Sequence, residues 1–485
     1  MKQINARQNT APLWTALNAY QKQGIVPFHT PGHKLRSGPF TTIASSIGTG
    51  FFSLDPSDEI EDLGFNHDFE LALGEAEALA AELFGAQDTL FLVNGTTGGL
   101  HYLLMPTSGS VLVPRFSHQA VYASLILAEG KGVYLPTSYD PDWLIPLPPT
   151  VTQVEEMLED VDCQAVVLTH PTYYGTVSEL AQITELAKER GVLVFVDEAH
   201  GGHFRFAPEL PATGLECGAQ GVVQSTHKTL GSFTQTSMLH SNDANWFSKV
   251  RQAQRVLQTT SPSLVFLGVL DEVRRVLAQQ GSDLVGQSLE LAHSCAEQLA
   301  QIPGVELLPA KLQADPTKIV FTLRDLGFTG IEVEGILRRD YNIQVELSDY
   351  YNVLALITVG DTTASISKLV GAVRDLAARR IHLGRGTLPR HSLHVPALPP
   401  IIRSLREAFF QEKEEVPLSK ASGRVSGSFL TPYPPGVPMI VPGEQFTKDI
   451  VDYLTWCLAI DWPVRGLLVG EKVTVLKDYN HFCRK

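Results

Sequence analysis

The sequence has no cysteine framework: five cysteines, Cys163, Cys217, Cys295, Cys457 and Cys483, are scattered over 485 residues, and no two stand as Cys-x-x-Cys. In a chain of this length such cysteines read as reduced thiols, neither a disulfide scaffold nor a zinc site. No apolar run approaches the roughly 18–20 residues that cross a bilayer. The stretch Met1 to Trp14 lacks the apolar centre of a secretory leader. A cytoplasmic protein without a membrane partner is therefore expected. Positive charge is also short, with 38 Lys+Arg against 52 Asp+Glu and a net charge of −14. That balance argues against a general nucleic-acid binder, which needs a cationic face to displace phosphate counterions. Repeats and low-complexity tracts are absent too, so an ordinary globular chain of two to four domains is expected at roughly 100–200 residues per domain.

From about residue 70 the pattern becomes regular. Glu70 to Phe84 places Leu71, Leu73, Ala76, Leu79, Ala80 and Leu83 at near-helical spacing, and Gly85 stops it. Short apolar runs follow at Thr89–Val93, Ser110–Pro114, Ala165–Leu168, Val192–Val196 and Gly221–Gln224, with helical stretches Leu100–Met105, Ser178–Arg190 and Trp246–Leu257 among them. Buried strands separated by helices predict a parallel, doubly wound sheet, whose ligands lie at the carboxyl ends of the strands. After a long helical stretch at 264–302, a smaller α/β unit is expected, with strands Val305–Leu308, Lys318–Leu323, Asn342–Leu347 and Val353–Val359 and helices 330–339 and 363–378. The Pro-rich His391–Pro400 reads as a linker.

Polar residues fall repeatedly at the expected strand ends. Ser225-Thr226-His227-Lys228-Thr229 follows one strand, and a desolvated lysine there would be a Schiff-base former, with Ser and His available for a phosphate; an ordinary loop lysine is the competing reading. Asp197, after Val192–Val196, is costly to bury without a cationic partner such as a protonated pyridine nitrogen, or else it caps a helix. Asn94-Gly95-Thr96-Thr97-Gly98-Gly99 offers a helix N-terminus to a phosphate, or is a common strand–turn–helix link. His118, after Ser110–Pro114, either stacks on a flat ring or is a hydrated loop histidine. Asp197-Glu198-Ala199-His200 also spells a helicase motif, which the absence of G-x-x-x-x-G-K-[ST] rejects. Asp197, His200 and His203 lack a convincing third ligand cluster, so no metal is expected. The joint order decides: Gly-rich turn, candidate stacker, strand-end Asp, then lysine, each after a strand.

In that order the residues resemble the Orn/Lys/Arg decarboxylases of pyridoxal-phosphate (PLP) fold type I, related to aspartate aminotransferase. His29-Thr30-Pro31-Gly32-His33-Lys34, Phe84-Gly85-Ala86 with Asn94-Gly95-Thr96-Thr97, Ser225-Thr226-His227-Lys228, and Tyr433-Pro434-Pro435-Gly436 with Pro442-Gly443-Glu444 carry the likeness. It implies an α/β fold: a large domain with a doubly wound, mainly parallel sheet, a small α/β domain and a C-terminal α+β domain. The boundaries expected are an N-terminal arm at 1–60, the PLP-binding domain at 61–265, the small domain at 266–390 and the C-terminal domain at 391–485.

Residue by residue, the resemblance implies Lys228 as the Schiff-base lysine, Asp197 on the pyridine nitrogen, and His118 and Ala199 on opposite faces of the ring. Thr96, Thr97, Ser225 and His227 would hold the phosphate, and Lys228 or His227 would return a proton to Cα. Thr259-Thr260-Ser261-Pro262 resembles the segment by which a neighbouring subunit reaches that phosphate, with Thr260 as its binding residue, implying a homodimer or a dimer of dimers. With the first signature at residue 29, the chain looks like the short biosynthetic form without a decamer-building wing. It departs from the family pattern at Gln119-Ala120, at Gly427-Ser428 and over Asp55–Gly64. The expected activity is decarboxylation of a basic amino acid, arginine to agmatine in polyamine synthesis ahead of lysine or ornithine. An aminotransferase or lyase on the same fold is the alternative, and a non-enzymatic PLP-binding regulator the third.

Overall fold

A computed structural model describes residues 6–58, 69–383, 386–388, 395–433 and 436–477. Parts of several expected features lie outside the described residues: Glu59–Gly64 of the Asp55–Gly64 stretch, His391–His394 of the linker, Pro434 and Pro435 of the tail motif, and Cys483.

The apolar runs form a seven-stranded sheet of β1 (Asp88–Leu92), β2 (Ser110–Pro114), β3 (Lys131–Leu135), β4 (Cys163–Thr169), β5 (Leu193–Asp197), β6 (Gly221–Gln224) and β7 (Ser237–Ser241), in the order β1-β7-β6-β5-β4-β2-β3. β2 runs parallel to β3 and β4, and β5 runs parallel to β6. β7 is antiparallel to both β1 and β6. The sheet is thus mainly parallel, as a doubly wound fold requires, with a reversed strand that the apolar pattern did not reveal.

The chain divides into two compact units. The first comprises Met1–Pro106, Phe195–Gln287 and Thr358–Gly360. Within it, helix α1 (Gly95–Leu104) packs so closely on the strands that a Cβ on Gly99 would stand 2.4 Å from Val223 Cγ1 and 2.7 Å from Leu92 Cδ1. The expected helix Leu100–Met105 therefore starts five residues earlier, and the glycine-rich stretch is its first turn, because glycines let helix backbone approach the sheet. The N-terminal arm is tied down by a buried ion pair: Arg274 bonds Asp271 at 2.6 Å and the Thr10 carbonyl at 2.5 Å, while Asp271 accepts the Leu13 N–H at 2.9 Å.

The second unit comprises Thr107–Val194, Ser288–Ile357 and Asp361–Lys485. Its small sheet is antiparallel throughout, ordered Glu306–Leu307, Lys318–Thr322, Asn352–Leu356, Leu347–Ser348. Here the expected strand Asn342–Leu347 is corrected. Asn342 is the left-handed cap (φ 53°) of helix Gly330–Tyr341, and regular pairing begins only at Leu347. Asparagine tolerates that conformation, which stops the helix but delays the strand. Further along, Lys413–Pro417 pairs with Lys472–Leu476, and helix Lys448–Ala459 buries Ile450 and Leu454 beside Phe446 and Val473. Among the described residues, no helix is long and apolar enough to cross a membrane.

Candidate active site

In the first unit, β5 and β6 run the same way and end level, with Asp197 opposite Val223, so Asp197 and Ser225 emerge on one edge of the sheet. The antiparallel β7 begins at that edge, since Ser237 pairs with Leu92 and Met238 with Gln224. Three hydroxyls converge there: Thr96 Oγ1 is 2.5 Å from Ser225 Oγ and 3.4 Å from Ser237 Oγ. Thr96 is buried in the first turn of α1 and Thr97 beside it is half-buried. A hydroxyl cluster at the N-terminus of a helix is a donor set for an anion, because first-turn N–H groups have no partner within the helix.

Ser225 opens a one-turn helix, α2 (Thr226–Thr229), that carries His227 and Lys228. The expectation of a buried amine is corrected, because Lys228 is half-buried. The strand ends at Gln224, and the short turn lifts residues 227 and 228 off the sheet, whereas Thr226 and Thr229 face inward. Lys228 Nζ lies 2.9 Å from Nε2 of His200, a buried residue on the turn after β5. His227 Nδ1 donates to the Thr236 carbonyl at 2.8 Å, leaving Nε2 for a ligand. Burial lowers the pKa of the His227 ring and the Lys228 charge lowers it further, with the Thr236 carbonyl opposing both.

Asp197 is buried, and its Oδ1 accepts the Ala199 N–H at 3.2 Å. Behind it runs a polar chain. Glu198 accepts the Gly214 N–H at 2.5 Å and the Gln224 amide at 2.7 Å. Gln224 Oε1 lies 3.3 Å from Nε2 of His240, whose Nδ1 is 2.8 Å from the Thr89 hydroxyl. Burial pushes the Glu198 carboxyl up to about 8 against those two hydrogen bonds, and burial pulls His240 down to about 3. The chain ties the end of β5 to the end of β6, fixing Asp197 relative to Ser225. Ser237, Gln224 and His240 were not singled out in the sequence, and Glu198 and His200 figured there only in the rejected helicase and metal readings. Among the described residues no group of three or more His, Cys, Asp or Glu could hold a metal ion.

His118 and Thr260 are placed differently. His118, in the second unit, caps helix α3 (Gln119–Ala128), its Nδ1 accepting the Ala120 N–H at 3.1 Å. It is exposed and lines a cavity of about 360 Å³ with Phe116, Tyr173, Phe429, Tyr433 and Arg465. Thr260, in the first unit, sits in the exposed turn between helices Ala244–Leu257 and Leu264–Ala300.

The site fits pyridoxal phosphate on this chain's own residues: a hydroxyl-lined helix N-terminus for a phosphate, an amine three residues beyond Ser225, and a buried strand-end carboxylate. Sheet order and site together define a PLP enzyme of fold type I. Solved structures share the fold: lysine decarboxylase A from Pseudomonas aeruginosa superposes with a TM-score of 0.82 at 21% identity, over 97% of this chain and 81% of that one. The constitutive lysine decarboxylase of E. coli gives 0.80 at 21% identity, over 97% and 82%.

At the sequence level, the family model for the Orn/Lys/Arg decarboxylase major domain matches residues 11–313, and that for the C-terminal domain matches residues 395–466. The chain belongs to the Orn/Lys/Arg decarboxylase family and is a PLP-dependent amino-acid decarboxylase. Its relatives include the arginine decarboxylase of Bacillus anthracis, 36% identical over 97% of this chain and 98% of the relative. The arginine decarboxylase of Bacillus subtilis (strain 168) is 34% identical over 95% and 96%.

Proposed function

We propose that the chain converts arginine to agmatine and CO₂, supplying polyamine synthesis. One observation carries the choice of arginine: four relatives named arginine decarboxylase are 34–37% identical over 90–97% of this chain. Lysine is the second reading, because relatives named lysine decarboxylase also match, at 24% identity. In the reaction the Cα–carboxylate bond breaks, CO₂ leaves, and Cα takes up one proton.

Pyridoxal phosphate, when bound, supplies a ring that accepts the electron pair left behind as CO₂ departs. This chain's residues do the rest. Thr96, Thr97, Ser225 and the Nε2 side of His227 hold the phosphate at the first turns of α1 and α2. Lys228 is the covalent anchor, its Nζ oriented by His200. Asp197 keeps a ring nitrogen protonated, and the Glu198–Gln224–His240 chain keeps that carboxylate in place. Ala199 and His118 are the residues that would limit movement of the ring. Lys228 or His227 returns the proton to Cα.

The polyamine role and the cytoplasmic setting belong to this reading. So does a homodimer, or a dimer of dimers, in which the partner subunit's Thr260 completes the phosphate site. The functional division is arm (1–60), PLP domain (61–265), small domain (266–390) and C-terminal domain (391–485).

The test is a substrate panel. Purified holoenzyme incubated with arginine, lysine or ornithine should release CO₂ and amine fastest, by kcat/KM, from arginine. A preference for lysine or ornithine would replace the substrate and keep the reaction, whereas keto acid formation with an amino acceptor would replace the reaction.

A further inference from the structure

In the second unit an ion pair joins residues 329 positions apart, Arg115 and Glu444, and both side chains are almost wholly buried. Arg115 follows β2 and precedes His118 by three residues. All three nitrogens of its guanidinium donate: Nη1 to Glu444 Oε1 at 2.8 Å and Nη2 to Glu444 Oε2 at 2.5 Å. Nε donates to the Pro438 carbonyl at 2.8 Å, and Nη2 also to the Met439 carbonyl at 3.2 Å. The Tyr134 ring centroid lies 5.2 Å from the guanidinium carbon.

Both ends of the pair are locked into their own segments. The Arg115 N–H donates to the Leu135 carbonyl at 2.9 Å, its carbonyl accepts the Tyr122 hydroxyl at 2.8 Å, and the Ser117 N–H closes on Pro114 at 2.9 Å. On the other side, Glu444 Oε2 also accepts the Val441 N–H at 2.8 Å. Gly443 before it has φ +93°, and a Cβ there would stand 2.3 Å from the Arg403 carbonyl oxygen, so only glycine fits. Pro438, held by Arg115, lines the same cavity as His118.

Stability alone does not require this arrangement. A buried ion pair is often replaced by apolar residues at no loss of stability, because desolvation offsets much of the Coulomb gain. What apolar residues do not reproduce is direction: a planar fork fixes a carboxylate and two carbonyls in one orientation. We infer that Arg115 and Glu444 are a positioning pair that holds the Pro438–Met439 segment against the turn carrying His118, so that the C-terminal domain sets where that imidazole stands. The inference rests on the role proposed above for His118.

The experiment pairs Arg115→Met/Glu444→Leu with Arg115→Lys, each made in the holoenzyme and again on a His118→Ala background. Arg115→Lys keeps the charge and loses the fork, so it serves if the apolar pair does not fold. Three quantities are read: kcat, the visible circular dichroism of the bound cofactor, and the cofactor dissociation constant. A misplaced group costs on the order of 10- to 100-fold in rate. We expect a loss of kcat of that size in the parent, with a changed dichroic band, a melting temperature near the parent's, and no further loss on the His118→Ala background. Parent-like kcat and dichroism in both variants would overturn the inference, as would an equal loss on both backgrounds. Where His118→Ala is itself impaired in those cases, the role of His118 stands. If His118→Ala alone matches the parent in all three readouts, the role of His118 fails and takes the positioning route with it.

Discussion

Nζ of Lys228 and Nε2 of His200 lie 2.9 Å apart, so the turn after β5 and the turn after β6 are joined at the amine proposed as the cofactor's anchor. With the amine as donor, the ring proton of His200 stands on Nδ1. Replacing Lys228 with Ala should abolish the aldimine absorption band and leave no site for borohydride labelling. Peptide mass mapping of the reduced holoenzyme checks this, and an unmodified Lys228 in yellow, active enzyme would refute the assignment. His200→Ala should keep the band and lower the rate, because the amine then loses its guide but not its chemistry.

Asp197 provides the second expectation. In the role proposed for it, the buried Asp197 carboxylate acts where charge develops, and removing one such group costs roughly 10²–10³-fold in kcat. Asp197→Ala should therefore lose turnover on that scale while far-UV dichroism stays unchanged. Steady-state kinetics on folded variant decides it, and retained activity would mean that the nitrogen has another partner.

Gly99 links packing to the site. Its missing side chain lets α1 rest on Val223 and Leu92 at distances no Cβ tolerates. Gly99→Ala must push the helix outward, at a cost of about 1–3 kcal/mol for an overpacked core. Because Thr96 and Thr97 ride on the first turn of that helix, the variant should melt lower and bind the cofactor more weakly. Calorimetry and cofactor titration measure the two effects, and a lower melting point with unchanged affinity would separate the helix position from phosphate binding.

Much of this was legible in the sequence because strand ends are local. Asp197 and Ser225 each follow an apolar run directly, and a polar residue there stands out against its neighbours. The partnerships were not legible, since no local pattern relates Lys228 to His200 or Arg115 to Glu444. β7 escaped notice for another reason. Its residues, Ser-Met-Leu-His-Ser, do not read as an apolar strand, yet all five are buried. The burial is satisfied by polar partners, with Ser237 close to Thr96, His240 to Thr89, and Ser241 donating to the Gln220 carbonyl at 3.0 Å. Hydrophobic periodicity finds strands buried in hydrocarbon, whereas three of these five residues, Ser237, His240 and Ser241, are buried against polar partners around an apolar Met238-Leu239 centre. Lys228 misled in the opposite sense, as adjacency to a buried strand suggested burial that one turn of helix relieves.

His240 makes stability depend on pH in a defined direction. Its ordinary value of 6.5 falls to about 3 in the fold because burial penalises the imidazolium. The unfolded chain thus binds a proton that the folded chain refuses over that interval. The stabilising difference is present in full above 6.5 and is lost as pH falls from there toward 3. Replacing His240 with Gln keeps a polar group near Thr89 and Gln224 and removes the titration. The variant should lose stability at pH 8 by the hydrogen bonds it fits less well, yet its stability should fall less steeply than the parent's between pH 6.5 and pH 4. Urea melts of apoenzyme across that range provide the two slopes. Parallel slopes would show that the imidazole is protonated in the folded protein, and that the polar chain behind Asp197 tolerates a charge at its far end.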